Sequence, residues 1–312
     1  MGIFPSELRE AIRQKVGGLG GFATQSSRMS QHYRAGGGSD ATLDLNAYLV
    51  TRLPATYAAI SASLAALPPN FSPKSVLDAG CGPGTAGWAS VDAYPDISNI
   101  TFLDNNMKFL GLAKELGRTS SHPALRNAAS LCGDITEPPV HVKADLVIAA
   151  YCFAEQAMAT VSKAAVALWA ASNGTLIIVE PGTTAGFARI IAARSVLVSA
   201  GANILAPCTH ANTCPLSAPD WCHFKIRLAR SREHLHAKNA QVPFEDESYS
   251  YLIASRNPVQ AAKARILATP VASKPEISFK LCTPEGVSKQ SIARRDRAEY
   301  KRVRKLGWGD LF

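Results

Sequence analysis

The 312-residue sequence contains no run of about 18 uncharged apolar residues, so a membrane-spanning helix is not expected. Its start, Met1-Gly2-Ile3-Phe4-Pro5-Ser6-Glu7-Leu8-Arg9-Glu10, lacks the basic stretch and long apolar core of a secretory signal. The two glutamates there also argue against a mitochondrial presequence, which is poor in acids. A reducing compartment is expected, where clustered cysteines bind metal more often than they pair as disulfides. No internal repeat is present. Acids are also scarce: 24 Asp and Glu stand against 33 Lys and Arg, for a net charge of +9 and a pI near 9.3. That excess favours a polyanionic partner, because each neutralised phosphate releases counterions. The hydrophobic share of 47% is that of a globular chain, and the length allows about two domains with real cores.

Coarse structure follows from periodicity and punctuation. Ser6 reads as the N-cap of a short helix over 6–17, stopped by Gly17-Gly18. Residues 26–40, with Gly36-Gly37-Gly38-Ser39, read as a flexible link. Helical signals return over 43–53 and 55–67, parted by Pro54 and closed by Pro68-Pro69; Tyr57, Ile60, Leu64 and Leu67 form a packing stripe there. From Ser75 the pattern changes to strands at 75–78, 100–104, 144–149 and 174–180, with helices such as 107–116 and 157–171 between them. Such alternation predicts a parallel sheet with helices on both faces. Residues 249–254 read as one further strand. Residues 276–281 and 286–292 flank Thr283-Pro284-Glu285-Gly286, predicting a hairpin, and a basic helix is expected over about 294–305. The chain thus divides into an N-terminal helical segment (1–70), a cofactor-binding domain (71–205) and a cysteine-bearing C-terminal part (206–312).

The stretch Val76-Leu77-Asp78-Ala79-Gly80-Cys81-Gly82-Pro83-Gly84-Thr85 sets three glycines between a buried strand and a helix. Glycine lets a ligand approach the backbone and permits positive φ. Asp104, closing the second strand, suits the two hydroxyls of a ribose, and Asp134 stands where an adenine amino group is often met. Dinucleotide-binding dehydrogenases place their third glycine three positions after the second, whereas Gly80, Gly82 and Gly84 alternate. The motif resembles that of class I S-adenosylmethionine-dependent methyltransferases. The resemblance implies an α/β Rossmann-like sheet and a cofactor held by Asp78, Gly80, Gly82, Gly84, Thr85, Asp104 and Asp134. Catalytic residues are not recognisable. The position after the fourth strand, where base N-methyltransferases carry Asn/Asp-Pro-Pro-aromatic, reads Ala149-Ala150-Tyr151-Cys152-Phe153-Ala154-Glu155. Cys152 lacks the preceding proline of cytosine-carbon enzymes and reads as a buried thiol, and Cys81 as a space-filler. Glu155 could orient a substrate amine or act as a solvated or capping group.

Of seven cysteines, Cys208, Cys214 and Cys222 fall within fifteen residues, and Cys282 lies on the predicted hairpin. Five and seven residues separate the first three, wider than the two to four of common zinc loops, and a larger inorganic core such as an iron–sulfur cube suits that spacing. Zinc, with His210 or His223 as a possible ligand, and a disulfide with buried thiols are the alternatives. Positive charge follows both segments: Lys225, Arg227, Arg230, Arg232 and Lys238 after Cys222, and Lys289 with Arg294, Arg295, Arg297, Lys301, Arg302, Arg304 and Lys305 near the end. The last seven are the candidate RNA contacts. The cysteine-bearing part is expected to be small and polar, with a metal rather than apolar burial holding it together.

Several segments together carry a more specific resemblance: Arg52-Leu53-Pro54-Ala55-Thr56-Tyr57, Val179-Glu180-Pro181-Gly182-Thr183, Ala206-Pro207-Cys208, Asp220-Trp221-Cys222-His223-Phe224, Pro243-Phe244-Glu245-Asp246-Glu247, Leu281-Cys282-Thr283-Pro284-Glu285-Gly286 and Trp308-Gly309-Asp310-Leu311. From about Leu43 to Phe312 the chain resembles the methyltransferase-like assembly factors of the small ribosomal subunit, known from mitochondria and bacteria. That resemblance implies a structural 4Fe–4S cluster on Cys208, Cys214, Cys222 and Cys282, and a monomer that meets the rRNA and proteins of the small subunit. It places the chain in the bacterial cytoplasm, or in the mitochondrial matrix of a eukaryote. An RNA-binding assembly factor that retains S-adenosylmethionine, an active rRNA methyltransferase and a small-molecule methyltransferase all remain compatible with the residues.

Overall fold

A computed structural model describes residues 4–17, 45–258 and 262–312. The link expected over 26–40 lies outside the described residues. Apolar strand runs build an eight-stranded sheet from β1 (Ser75–Ala79), β2 (Asn99–Asp104), β3 (Ala129–Cys132), β4 (Ala144–Ala150), β5 (Ser172–Pro181), β6 (Asn203–Ala206), β7 (Phe224–Ala229) and β8 (Phe244–Ser255). The strand order is β3-β2-β1-β4-β5-β8-β6, with β7 also paired to β8. The strands from β1 to β5 are parallel, but β8 runs antiparallel to β5, β6 and β7. The expected parallel sheet is therefore mixed, with the topology of the class I methyltransferase fold. Alternating hydrophobicity locates a strand but does not set its direction.

Helices cover both faces, as the near-continuous apolar runs of β1 and β4 require. One face packs Leu8, Leu49, Leu53, Tyr57 and Ile60 from the N-terminal helices together with Phe102 and Ile177. The other buries Val147, Ile178 and Leu252 beneath the helices Met158–Ala171 and Thr184–Ser199. The expected stripe of Tyr57, Ile60, Leu64 and Leu67 is buried. In the helix Ser6–Val16, Pro5 rather than Ser6 takes the N-cap, its φ of −55° suiting the entry, and Gly17 ends the helix in the left-handed conformation.

The C-terminal part forms a second sheet of β9 (Arg265–Ile266), β10 (Val271–Ala272), β11 (Glu276–Thr283) and β12 (Gly286–Ala293). The expected hairpin is β11–β12, and Cys282 lies near its turn. This lobe has an apolar core of its own: Ala264, Ile266, Ile277, Phe279, Leu281, Ile292 and Val303 are buried together, and Phe312 packs edge-on against Phe279 at 5.0 Å between centroids. The expectation of a merely polar lobe is corrected accordingly. The basic helix is shorter than expected, Arg297–Val303, because Asp296 caps it and leaves Arg294 and Arg295 in the preceding turn.

Candidate functional site

Past β1 the chain turns through Gly80, Gly82 and Gly84 at φ of 67°, 51° and 82°, a sequence that glycine alone adopts without strain. The Gly80 and Cys81 amides donate to the Leu103 carbonyl at 2.7 and 3.0 Å, pinning the turn to β2. Asp78 is buried and accepts from the Gly87 amide at 3.0 Å; burial pushes its carboxyl up to about 8. Asp104 accepts from the Gly82 amide with one oxygen and from the Asn106 amide with the other, both at 2.8 Å. It is thus a hub of the loop, and each oxygen keeps a further lone pair for a ligand. Gly80, Gly82 and Asp104 line the cleft, together with Tyr48, Phe109, Tyr151, Cys152 and Glu155. Asp78, Gly84 and Thr85 support the turn without lining it. Asp134 is exposed and caps a turn by accepting from the Thr136 amide at 2.7 Å, while its neighbours Gly133 and Ile135 reach the cleft. The cleft is narrow, about 50 Å³. A β-carbon on Gly80 would stand 2.5 Å from that of Cys152, so this cysteine is packed directly against the loop.

The segment after β4 holds residues that sequence reasoning did not single out. Tyr151 has φ of 61°, a conformation that costs a non-glycine residue roughly 1–3 kcal/mol. Its hydroxyl donates to Glu247 of β8 at 2.9 Å, and the Arg52 guanidinium lies 3.5 Å from the same carboxylate and 5.3 Å from the Tyr151 ring centre. Glu180, at the end of β5, is 0% exposed and accepts from the Phe153 amide at 3.1 Å. Burial pushes its carboxyl up to about 8, with Arg189 opposing at 3.9 Å. The available signal was an acid at the end of a buried apolar strand; nothing local pairs Arg52 with Glu247 across 195 residues. The Cys152 thiol is raised well above its ordinary value by burial, and the Tyr151 phenol likewise.

Residues 207–223 connect β6 to β7 and carry three of the candidate metal cysteines; Cys282 sits on β11. Trp221 anchors this loop by donating to the Gly182 carbonyl at 3.0 Å, Ser250 donates to the Cys222 carbonyl at 2.7 Å, and Asn212 donates to the Pro284 carbonyl of the hairpin at 3.2 Å. All four cysteines are free thiols. Burial raises the Cys222 thiol first, and Cys208, Cys214 and Cys282 add to the rise; Cys282 is pushed up to about 11 by burial and then by Cys208 and Cys214. The fold therefore brings the four sulfurs within electrostatic reach of one another. Among the described residues, however, no three or more His, Cys, Asp and Glu side chains form a group that could hold a metal ion. His210 lies with Nε2 3.7 Å from the Cys282 sulfur, whereas His223 stacks on Trp221 at 4.9 Å.

The C-terminal cations Arg294, Arg295, Arg297, Lys301, Arg302, Arg304 and Lys305 are all exposed. Arg302 pairs with Glu299 at 2.6 Å, and Arg294 lies over the Tyr300 ring. The other basic run is partly paired: Arg227 meets Asp246 at 2.7 Å, and Arg230, His234 and Lys238 converge on Glu245 at 3.3, 2.9 and 2.5 Å, while Lys225 and Arg232 are exposed and in no ion pair among the described residues. Of the two charge clusters legible in the sequence, the C-terminal one presents more exposed cations outside ion pairs among the described residues.

The profile of the family described as "Mitochondrial small ribosomal subunit Rsm22" matches residues 42–312. The chain is 25% identical over 285 residues to the human mitochondrial ribosome assembly protein METTL17, covering 85% of this chain and 61% of that protein. It is 23% identical over 321 residues to the mitochondrial Rsm22-cox11 tandem protein 2 of Schizosaccharomyces pombe, covering 85% and 42%. The chain thus spans less than two thirds of either relative. Among solved structures, magnesium protoporphyrin IX methyltransferase from Synechocystis with bound SAM aligns at a TM-score of 0.43 and 15% identity, over 75% of this chain and 97% of that one. The family match runs from the N-terminal helices through the sheet and the cysteine loop to the last residue, and the chain belongs to the Rsm22 family.

Proposed function

We propose that this chain is an assembly factor of the small ribosomal subunit that binds rRNA through its C-terminal cations, carries a structural 4Fe–4S cluster and retains a binding loop for S-adenosylmethionine. The observation that carries the reading is the family match over residues 42–312, which takes in the glycine loop, the cysteine loop and the basic end as one span. The curated relatives are described as mitochondrial, which favours the matrix for a eukaryotic chain; a bacterial one would act in the cytoplasm.

The donor set fits S-adenosylmethionine. A β-carbon on Gly82 would meet nothing nearer than the Tyr48 hydroxyl at 3.7 Å, so the backbone there is open to a ligand, and Asp104 offers lone pairs at the rim. When bound, the cofactor supplies an electrophilic methyl group. The residues around it are poorly suited to passing that group on. Cys152 is a protonated, buried thiol, and Tyr151 is tied to Glu247. Retention of the ligand without catalysis is the better match.

The four thiols also fit a cluster. They are unpaired and buried or half-buried, three on the 207–223 loop and one on β11, and soft thiolates are the donors that an iron–sulfur core selects. With every iron ligated by protein, the cluster cross-links the 207–223 loop to the β11–β12 hairpin. His210 beside Cys282 keeps zinc as the outcome to test against.

Three outcomes follow. In calorimetry the protein binds S-adenosylmethionine, and Asp104→Ala weakens binding by about 1–3 kcal/mol; no binding by wild type, or equal binding by the variant, contradicts the loop assignment. Affinity for small-subunit rRNA falls steeply with salt, and replacing Arg295, Arg302 and Lys305 by Gln flattens the log–log slope by roughly 0.7–0.9 for each phosphate no longer neutralised. An unchanged slope removes the C-terminal end from the interface. Anaerobically purified protein contains about four iron and four sulfide per chain. Cys282→Ser loses the cluster and RNA affinity together while S-adenosylmethionine binding persists; one zinc without sulfide overturns the cluster.

A further inference from the structure

Two arginines are buried beside the cysteines with no carboxylate among the described residues to neutralise them. Arg194, on the helix Thr184–Ser199, is 5% exposed. Its Nη2 donates to the His210 carbonyl at 2.8 Å, two residues from Cys208, and its Nε has no hydrogen-bond partner among the described residues. Arg265, on β9, is 8% exposed; its Nε donates to the Pro207 carbonyl and its Nη1 to the Gly309 carbonyl, both at 2.8 Å. In the β9–β11 register Arg265 stands opposite Cys282. Among the described residues neither arginine takes part in an ion pair. Two other largely buried arginines do: Arg52 meets Glu247 at 3.5 Å and Arg230 meets Glu245 at 3.3 Å.

A guanidinium cannot shed its proton under protein conditions, so burial without a counter-charge is strongly unfavourable. Carbonyl dipoles offset only part of that cost. The anions within reach are the cysteine sulfurs, and protonated thiols carry no charge. Thiolates do, when a metal core holds them as ligands. A cluster ligated by four thiolates is a buried anion, and Arg194 and Arg265 flank the place it would occupy.

We infer that Arg194 and Arg265 are the counter-charges of the four-cysteine site: positioning residues that hold an anionic, thiolate-ligated cluster and set how readily it accepts an electron. This rests on the cluster reading above. Arg265 has a second consequence, because it joins the segment before Cys208, the strand opposite Cys282 and the chain end at Gly309. A cation next to the cluster favours its more negative, reduced form, so removing that charge lowers the midpoint potential.

The test uses anaerobically purified wild type, Arg194→Gln, Arg194→Lys, Arg265→Gln and Arg265→Lys, read by iron and sulfide content and by midpoint potential from redox titration of the cluster absorption. Each Gln variant, with the charge removed, is expected to shift the reduction equilibrium at least tenfold towards the oxidised form, about 59 mV for one electron. Each Lys variant recovers most of that shift. If a Gln variant fails to retain its cluster, recovery of iron and sulfide in the matching Lys variant supports the charge role, and loss in both overturns it. A full cluster at wild-type potential in the Gln variants also overturns it. Wild type without iron and sulfide overturns the underlying cluster reading, and with it this inference, before any variant is compared.

Discussion

β8 is the strand on which both ends of the molecule depend. From Tyr249 to Ser255 it hydrogen-bonds β5, and along its other edge it accepts β6 near Ser255 and β7 from Tyr249 back to Phe244. The loop bearing Cys208, Cys214 and Cys222 leaves one of these partners and returns as the other, so it is suspended from a single strand. The same strand sends Glu247 towards Tyr151 at the cleft beside the glycine loop and Ser250 towards the Cys222 carbonyl. Three residues apart, these side chains reach the two candidate sites from one backbone. Displacing β8 would disturb both.

The charges are arranged with similar economy. Glu245, Asp246 and Glu247 are consecutive, and each meets basic side chains from elsewhere in the fold: Glu245 the cations Arg230 and Lys238 and the His234 imidazole, Asp246 Arg227, and Glu247 Arg52. His234 and Lys238 together hold the Glu245 carboxyl well below the usual carboxylate range. At the C-terminal end the acids are fewer: Asp296 caps the helix Arg297–Val303 and Glu299 is engaged by Arg302.

Much of this was legible in the sequence because it is local. The Asp78–Thr85 turn follows from glycines between a buried strand and a helix, and the β11–β12 hairpin from a four-residue turn between strand patterns. The shortened basic helix was not legible, since Asp296 as an N-cap competes with a run of residues that all tolerate helix. The antiparallel setting of β8 was hidden because periodicity is the same in either direction. The buried polar network was hidden for a different reason. Arg52, Tyr151 and Glu247 are unremarkable in their own surroundings, and only the sheet order brings them together. Arg194 and Arg265 carry no local signal of burial; the helix Thr184–Ser199 and the β9–β11 pairing bring them beside the cysteines.

The fold therefore sets a glycine-rich loop at the rim of a cleft and invests its longer connections in a cysteine-bearing lobe with an exposed basic end. The central claim is that this arrangement serves assembly of the small ribosomal subunit. Sedimentation of ribosomal subunits from cells lacking the chain, then complemented with wild type or with Cys282→Ser, tests it most directly. The account predicts a loss of mature small subunits that wild type restores and Cys282→Ser does not. Normal small subunits in the deleted cells, or full restoration by Cys282→Ser, would contradict it.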